Sequence, residues 1–197
     1  MNKNEKELTS EESLKLINRM IYEAKGYFHE SGIGALVYGF GVLLCSLLEY
    51  AVDVKMISFP FSPFYLLVPV FFVQSWIQFR ENKMKKAKTF TDETIDYVWT
   101  GFFISAIAAF SANFAGYSYV TITIILFLTG FATFLTGMIS KFNYHKIGGV
   151  ICLVFASVSF FIQDARIYLL LAITAVMVWI IPGFILNIIF RRQQYAR

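Results

Sequence analysis

The stretch SYVTITIILFLTGFATFLTGMIS, residues 118–140, runs for 23 residues without a charged side chain or a histidine. A helix that crosses about 30 Å of hydrocarbon needs about 20 apolar residues, so this stretch predicts a membrane-spanning helix. Small side chains recur along it at helical spacing, and a six-residue connection, 141–146, separates it from a second apolar run with the same feature. Because small residues let membrane helices approach closely, the two runs predict a tight antiparallel helix pair.

The composition of the whole chain agrees with a membrane protein. Of its 197 residues, 57% are hydrophobic and 15% are charged, whereas about 25% of the residues in soluble proteins are charged. The mean hydropathy is +0.61. A soluble domain of this size has too little core to bury so much apolar surface, so lipid must cover much of it. These values exclude a soluble enzyme, a disordered tail and a disulfide scaffold.

Five further apolar segments are long enough to be considered as spans. Ser62, followed by a proline, marks a helix start for one of them, and Asp164 can cap the last. With the stretch quoted above, six spans are predicted, at residues 33–52, 63–79, 97–116, 118–140, 147–162 and 167–190. The predicted fold is an all-α, polytopic membrane bundle of six transmembrane helices (32–190), preceded by a cytoplasmic segment (1–31) and followed by a basic tail (191–197).

Lys and Arg residues are distributed unequally between the two sides of this topology. Fifteen of the 17 fall in the N-terminal segment, the 80–96 and 141–146 loops and the C-terminal tail, whereas Lys55 and Arg166 fall on the opposite side. By the positive-inside rule, both termini are predicted in the cytoplasm. Anionic lipid headgroups explain the net charge of +4 without a nucleic-acid partner. The cations predicted to contact headgroups are Lys83, Lys85, Lys86, Lys88, Arg191 and Arg192.

The N-terminal segment is predicted to form an amphipathic helix over residues 9–31. Thr9 and Glu12 form a capping box at its start. Apolar side chains recur at helical spacing on one face, namely Leu14, Ile17, Ile21, Ala24 and Phe28, and the other face carries Glu and Lys. Such a helix lies on the membrane surface or packs under the bundle, or alternatively docks a membrane or cytosolic protein partner.

Small residues predict which faces of the spans pack together. The expected contact positions are Gly34, Gly41, Ala108, Ala112, Gly130, Thr133, Gly137, Gly149 and Ala156. Helix bends are expected at Pro69 and at the pair Pro182 and Gly183, because each proline removes a backbone donor. Such bends are either kinks tolerated by neighbouring helices or breaks that line a transport site.

The spans carry no obvious catalytic or ion-coupling group. No ionisable residue is predicted near the bilayer midplane, where a coupled pump usually needs one. The only histidines, His29 and His145, fall in or beside cytoplasmic segments, and no HExxH or GxSxG motif occurs. Cys45 and Cys152 lie in apolar runs, which disfavours a disulfide or a Cys/His metal site. The sequence therefore predicts a protein that is not an enzyme and has neither metal nor cofactor.

Several stretches of the chain resemble a family of small multi-pass membrane proteins of the Bacteroidota. They are EESLKLINRMIYEAK (11–25), YGF (38–40), TFTDETIDYVW (89–99), TFLTGMISKF with IGGV (133–142 and 147–150) and AVMVWIIPGFIL (175–186). The resemblance covers nearly the whole chain and implies six spans in a bacterial inner membrane. Members are often encoded beside a winged-helix regulator, which implies an inducible stress or envelope role. Because no activity is established for the family, the resemblance assigns no functional residue.

The sequence leaves more than one function open. The leading hypothesis is a non-enzymatic interaction, regulatory or stress-linked membrane component, acting as a homo-oligomer or with a protein partner bound through residues 9–31. A second is a passive channel or a small-molecule or lipid transporter, favoured by the bent helices and the hydroxyl-bearing fourth span. A third is an oligomeric membrane effector in stress or phage defence.

Overall fold

The computed structural model of the chain describes residues 31–84, 90–111 and 115–195. Within these ranges every regular element is helical and no strand occurs, which confirms the predicted all-α class. Several predicted features lie outside the described residues: nearly all of the amphipathic helix 9–31, the headgroup contacts Lys85, Lys86 and Lys88, and the packing residue Ala112.

The described residues form seven α-helices, one 3₁₀ turn and one π-helical turn. The helices are α1 (Ile33–Asp53), α2 (Leu67–Met84), α3 (Phe90–Phe110), α4 (Ser118–Ile139), α5 (Asn143–Ser159), α6 (Arg166–Ala175) and α7 (Ile181–Tyr195). The 3₁₀ turn, Pro63–Leu66, precedes α2, and the π turn, Val176–Ile180, joins α6 to α7 without a break. The first five predicted spans each overlap one of these helices and the sixth overlaps both α6 and α7, although several bounds differ.

Three helices are long and apolar enough to cross a membrane: Ile33–Asp53, Ser118–Ile139 and the joined α6 and α7 over Arg166–Arg192. This finding supports the expected membrane class. The helices at the other three predicted spans are not both long and apolar enough to meet this requirement. Helix α5 has 17 residues, and charged residues occupy the last turn of α2 and the first turn of α3. The count of six spans is therefore an expectation that length and composition do not confirm.

The start of α2 corrects one expectation from the sequence. The hydroxyl of Ser62 accepts a hydrogen bond from the Phe64 amide (3.4 Å), and Pro63 takes the first position of the 3₁₀ turn. The α-helix begins only at Leu67, so Pro69 lies in its first turn. Amides in a first helical turn have no intrahelical acceptor. Pro69 therefore removes no α-helical hydrogen bond and does not bend the middle of a span.

The helices divide into a compact core and a periphery. Helices α4 and α5 form the most extensive contact in the described chain, and α6 with the π turn packs against α1 and α5. The central apolar cluster comprises Ile122, Leu126, Cys152, Ala156, Ile167, Tyr168 and Val178. Helix α2 contacts chiefly α1, and α3 contacts chiefly α4. Among the described side chains, α2 buries none and α3 buries only Phe102, so these two helices form the periphery.

Candidate functional site

The predicted packing residues of α4 and α5 meet at the interface between these helices. A Cβ atom built on Gly137 would lie 2.5 Å from the backbone nitrogen of Lys146. One built on Gly149 would lie 2.5 Å from the backbone nitrogen of Phe134. Glycine is therefore required at both positions for the close approach of the two backbones. The other predicted packing residues of this pair are buried, namely Gly130, Thr133 and Ala156.

The two predicted packing glycines of α1 differ in how closely they are approached. A Cβ on Gly41 would lie 2.7 Å from Cγ1 of Val70 in α2. A Cβ on Gly34 would lie 3.8 Å from its nearest neighbour, Cγ of Gln74. Gly41 is therefore a close-contact position, whereas Gly34 is in ordinary van der Waals contact.

The π turn is the main irregularity among the helices. Its position follows from Pro182, which has no amide hydrogen to donate to the carbonyl of Val178 four residues earlier. A Cβ on Gly39 of α1 would lie 2.7 Å from Cβ of Trp179, so a glycine accommodates the wider turn. A bend at Pro182 and Gly183 is predicted from the sequence, and the structure has the π turn just before this pair. The contact with Gly39 is not predicted, because it joins residues far apart in the chain.

Trp179 also connects the core to the periphery through ring contacts. Its ring centroid lies 5.0 Å from that of Tyr38 and 5.2 Å from that of Trp99 in α3. Helix α3 in turn reaches α2 through Phe103 and Phe71, whose centroids are 5.0 Å apart. Aromatic pairs contribute about 0.5–1.5 kcal/mol each beyond their burial. Side-chain rings, rather than close backbone contacts, therefore hold α3 to α2 and the π turn.

Helix α3 exposes a row of small residues, Gly101, Ser105 and Ala108, which we call the α3 stripe. Their spacing of i, i+4 and i+7 puts them on one helix face, and all are exposed. A Cβ on Gly101 would meet nothing within 4 Å. Ile104 and Ile107 flank the stripe and are 65% and 74% exposed. Ala108 was expected to pack against another helix, but it is exposed in a single copy of the chain.

The exposed face of helix α2 changes from aliphatic to aromatic to cationic side chains along the helix axis. Val68, Phe72, Trp76, Phe79 and Lys83, which we call the α2 stripe, share one face at helical spacing. The apolar members are 53%, 68%, 74% and 62% exposed, in that order. The ammonium nitrogen of Lys83 lies 4.6 Å from the ring centroid of Phe79. The sequence placed Lys83 in a loop, but α2 continues through it, which brings this cation onto the face of the aromatic residues.

Polar groups at the predicted outer end join separate elements. The hydroxyl of Ser62 lies 3.1 Å from both carboxylate oxygens of Glu49 and donates to that group, which fixes the 3₁₀ turn to α1. The phenol of Tyr119 donates to Oδ2 of Asp53 (2.8 Å), which joins the start of α4 to the end of α1. Both carboxylates therefore have structural partners within the chain.

A polar contact joins three helices at the opposite end of the bundle. The hydroxyl of Ser31, just before α1, donates to a carboxylate oxygen of Glu81 in α2. The side-chain amide of Asn187 in α7 donates to the carbonyl of Ser31 (2.8 Å). Gly32 has a φ of +73°, a left-handed conformation that glycine adopts without strain. The point at which the N-terminal segment joins the bundle is therefore fixed between α2 and α7.

Two ionisable groups in the connections have displaced pKa values. Asp164 accepts hydrogen bonds from the guanidinium (2.6 Å) and the backbone amide (2.9 Å) of Arg166, and the guanidinium lowers the pKa of Asp164. His145 packs on Phe142 with ring centroids 4.9 Å apart, and burial lowers the pKa of His145 to about 4. Ala165, and not Asp164 as the sequence predicted, is the N-cap residue of α6; the Asp164 carboxylate instead bonds Arg166, the first residue of this helix. His145 is a neutral packing group at physiological pH.

An apolar groove of about 470 Å³ lies between α3 and α4. Its lining residues are Phe103, Ala106, Ile107, Phe110, Ser111 and Ile125. Ser111 supplies the only hydroxyl in this lining, and that hydroxyl donates to the carbonyl of Ala108 (2.6 Å). The groove therefore offers apolar surface to a bound molecule and no group placed for acid, base or nucleophilic chemistry.

The remaining predicted site residues are cations near the end of α7. Arg191 and Arg192 are exposed, as a headgroup contact requires. In the described part of the chain, no group of three or more His, Cys, Asp or Glu side chains is arranged to hold a metal ion. In comparisons with protein-family models, curated proteins and solved structures, nothing matched this chain.

Proposed function

We propose that this chain is a non-enzymatic component of a bacterial inner membrane that acts by associating with another membrane helix, in the first place that of a second copy of itself. The α3 stripe carries this proposal. Small residues drive helix association in lipid, where apolar surface alone provides no driving force. The small-residue faces of α4 and α5 are paired with each other, whereas the α3 stripe is exposed and has room for an approaching helix at Gly101.

The proposed topology has six spans and both termini in the cytoplasm. Helices α2 and α3 have 18 and 21 residues, lengths of about 27 and 32 Å at the rise of an α-helix. Helix α5 packs along α4, which is itself long and apolar enough to cross the membrane, so the two share one environment. The uneven distribution of Lys and Arg supports the orientation.

The placement of the polar groups favours an interaction role over catalysis. The carboxylates of Glu49, Asp53, Glu81 and Asp164 each accept a hydrogen bond from another residue of the chain. These bonds join helices or connect the residues at a helix start, and the apolar groove between α3 and α4 carries a single hydroxyl. The exposed faces of α2 and α3 described above are largely apolar or small-residue helix faces, which suit binding of lipid or of another helix.

The oligomeric state tests this proposal. Full-length protein, purified from its host membranes in mild detergent, would be weighed by native mass spectrometry beside the variants Gly101→Leu and Ala108→Leu. We expect a discrete oligomer for the wild type and a monomer for both α3 variants. Ser157→Leu, which enlarges an exposed small residue on α5, is the matched control and should leave the oligomer intact. A monomeric wild type without a bound protein, or an oligomer that survives both α3 variants, would contradict the proposal.

The groove between α3 and α4 favours a second function, the transport of a lipid or an apolar small molecule. Its apolar lining and its volume of about 470 Å³ suit an acyl chain or a compact apolar ligand. Ala106→Phe would place a ring in the groove. Lipid exchange between the leaflets of reconstituted vesicles, present in the wild type and lost in Ala106→Phe, would move the assignment from association to transport.

A further inference from the structure

We infer that the α2 stripe is a binding site for one anionic glycerophospholipid. This site lies on a different helix from the α3 stripe and goes beyond the proposed association. The assignment to the cytoplasmic leaflet rests on the proposed topology, whereas the chemistry of the site does not. A phospholipid is apolar over most of its length, carries ester carbonyls at one end of its chains and has a charged phosphate beyond them. The stripe has the same order along its axis: aliphatic, aromatic, then cationic.

The part of the α2 stripe from Phe72 to Lys83 matches one leaflet in length. Phe72 and Lys83 are 11 residues apart, which is about 16 Å along an α-helix. Half of a hydrocarbon core of about 30 Å is about 15 Å. An acyl chain can therefore lie along Phe72 and Trp76, with its ester carbonyls near the ring of Phe79 and its phosphate near Lys83.

The charges on this part of α2 select an anionic headgroup. The ammonium of Lys83 leans back over the ring of Phe79, which holds it on the exposed face at the level of the aromatic residues. Arg80 is exposed beside it. Glu81, the acidic residue between these two cations, points to the opposite side of the helix and accepts the hydrogen bond from Ser31. The lipid-facing side of the helix end is therefore positive.

The exposed face of α4 shows that this arrangement is not a general property of the chain. Phe131 and Met138 are 57% and 52% exposed there, but the last turn of α4 has no basic residue. That face can contact any acyl chain. The α2 stripe combines apolar contact with charge, and charge complementarity distinguishes a phosphatidylglycerol-like lipid from a zwitterionic one.

Quenching of Trp76 by brominated lipid tests the site directly. Full-length protein would be reconstituted into vesicles of phosphatidylethanolamine and phosphatidylglycerol, with bromine on the acyl chains of one lipid or of the other. Subtracting the emission of Trp76→Phe isolates the signal of Trp76 from those of Trp99 and Trp179. We expect brominated phosphatidylglycerol to quench Trp76 preferentially, with a relative binding constant about fivefold higher for each participating cation.

Charge variants separate a site from general surface attraction. Lys83→Gln should lower the preference for phosphatidylglycerol about fivefold, and Arg80→Gln should also lower it. Lys141→Gln removes an exposed cation from the same predicted side of the membrane and should leave the preference unchanged. Equal quenching by both brominated lipids, or equal effects of Lys83→Gln and Lys141→Gln, would overturn the inference.

The same measurement detects a different occupant of α2. If a second copy of the chain covered the stripe, neither brominated lipid would quench Trp76, and the inference would fail. The outcome is independent of the proposed association, because Gly101→Leu changes only α3. Selective quenching that persists in a monomeric Gly101→Leu protein would support the lipid site irrespective of the oligomeric state.

Discussion

We expect Gly149→Ala to destabilise the protein and Gly148→Ala to stabilise it, although the two glycines are adjacent in α5. A Cβ on Gly149 would lie 2.5, 2.6 and 2.7 Å from the backbone nitrogen, Cα and Cβ of Phe134. A Cβ on Gly148 would find its nearest neighbour, the carbonyl oxygen of Met177, at 3.5 Å, an ordinary contact. The two variants add the same methyl group to the same helix, so their difference isolates the α4–α5 contact.

The magnitude follows from two opposing effects. Replacing glycine by alanine inside a helix gains about 1 kcal/mol, and both variants share this gain. At Gly149 the opposing atoms belong to backbone, so α4 and α5 must separate locally by about 1 Å to restore carbon contacts near 3.5 Å. Overpacking of this kind costs about 1–3 kcal/mol. We therefore expect the variants to differ by about 1–3 kcal/mol, which is roughly 3–10 °C in melting temperature for a chain of this size.

The assay is thermal unfolding of both variants and the wild type in one detergent, followed by circular dichroism and by loss of the monodisperse gel-filtration peak. Gly149→Leu and Gly137→Leu extend the series and should prevent folding, because a larger side chain meets the same backbone. If Gly149→Ala melted at the same temperature as Gly148→Ala, the close approach of α4 and α5 would be wrong.

Three further predictions concern the π turn, the connection before α5 and the topology. Gly39→Ala should shift the fluorescence of Trp179 and destabilise the protein by up to about 2 kcal/mol, because an overpacking cost of about 1–3 kcal/mol exceeds the helix-propensity gain of about 1 kcal/mol where its Cβ would lie 2.7 Å from that of Trp179; unchanged emission would contradict this contact. Burial lowers the folded-state pKa of His145 from 6.5 to about 4. Between pH 4 and 6.5, His145 therefore binds a proton in the unfolded state but not in the folded state. Stability should therefore fall as pH drops from 6.5 to 4, by up to about 3 kcal/mol, and melting curves of His145→Gln should show less of this fall. With both native cysteines buried, a membrane-impermeant thiol reagent should label Lys55→Cys from outside intact cells and Lys141→Cys only after lysis; the reverse pattern would overturn the orientation.

The α4–α5 pair could be predicted from the sequence because its signal is local. Small residues recur at helical spacing on both sides of a short connection, so the two faces had to meet in an antiparallel pair. The contacts at Gly137 and Gly149 agree with that pattern. The contact between Gly39 and Trp179 was missed because a single glycine in an apolar run does not indicate which distant helix it faces.

The periphery could be predicted less well, for two physical reasons. Hydropathy marked the end of the second span at residue 79, but Arg80, Glu81 and Lys83 are good helix formers, and the backbone hydrogen bonds of α2 continue through them. A face of small residues indicates that another helix can pack closely against it, but it does not indicate which helix does so. Ala108 was therefore predicted to be a contact position, while its exposure in a single chain became visible only in the structure.

Photo-crosslinking in native membranes tests the central claim most directly, because it detects contact at the α3 stripe without detergent. A photoreactive amino acid would replace Ile104, which is 65% exposed beside the stripe, and, in a matched control, Phe131, which is 57% exposed on α4. We predict a covalent product of twice the monomer mass from position 104 and none from position 131. Absence of any protein adduct at position 104, or equal adducts from both positions, would contradict association through α3.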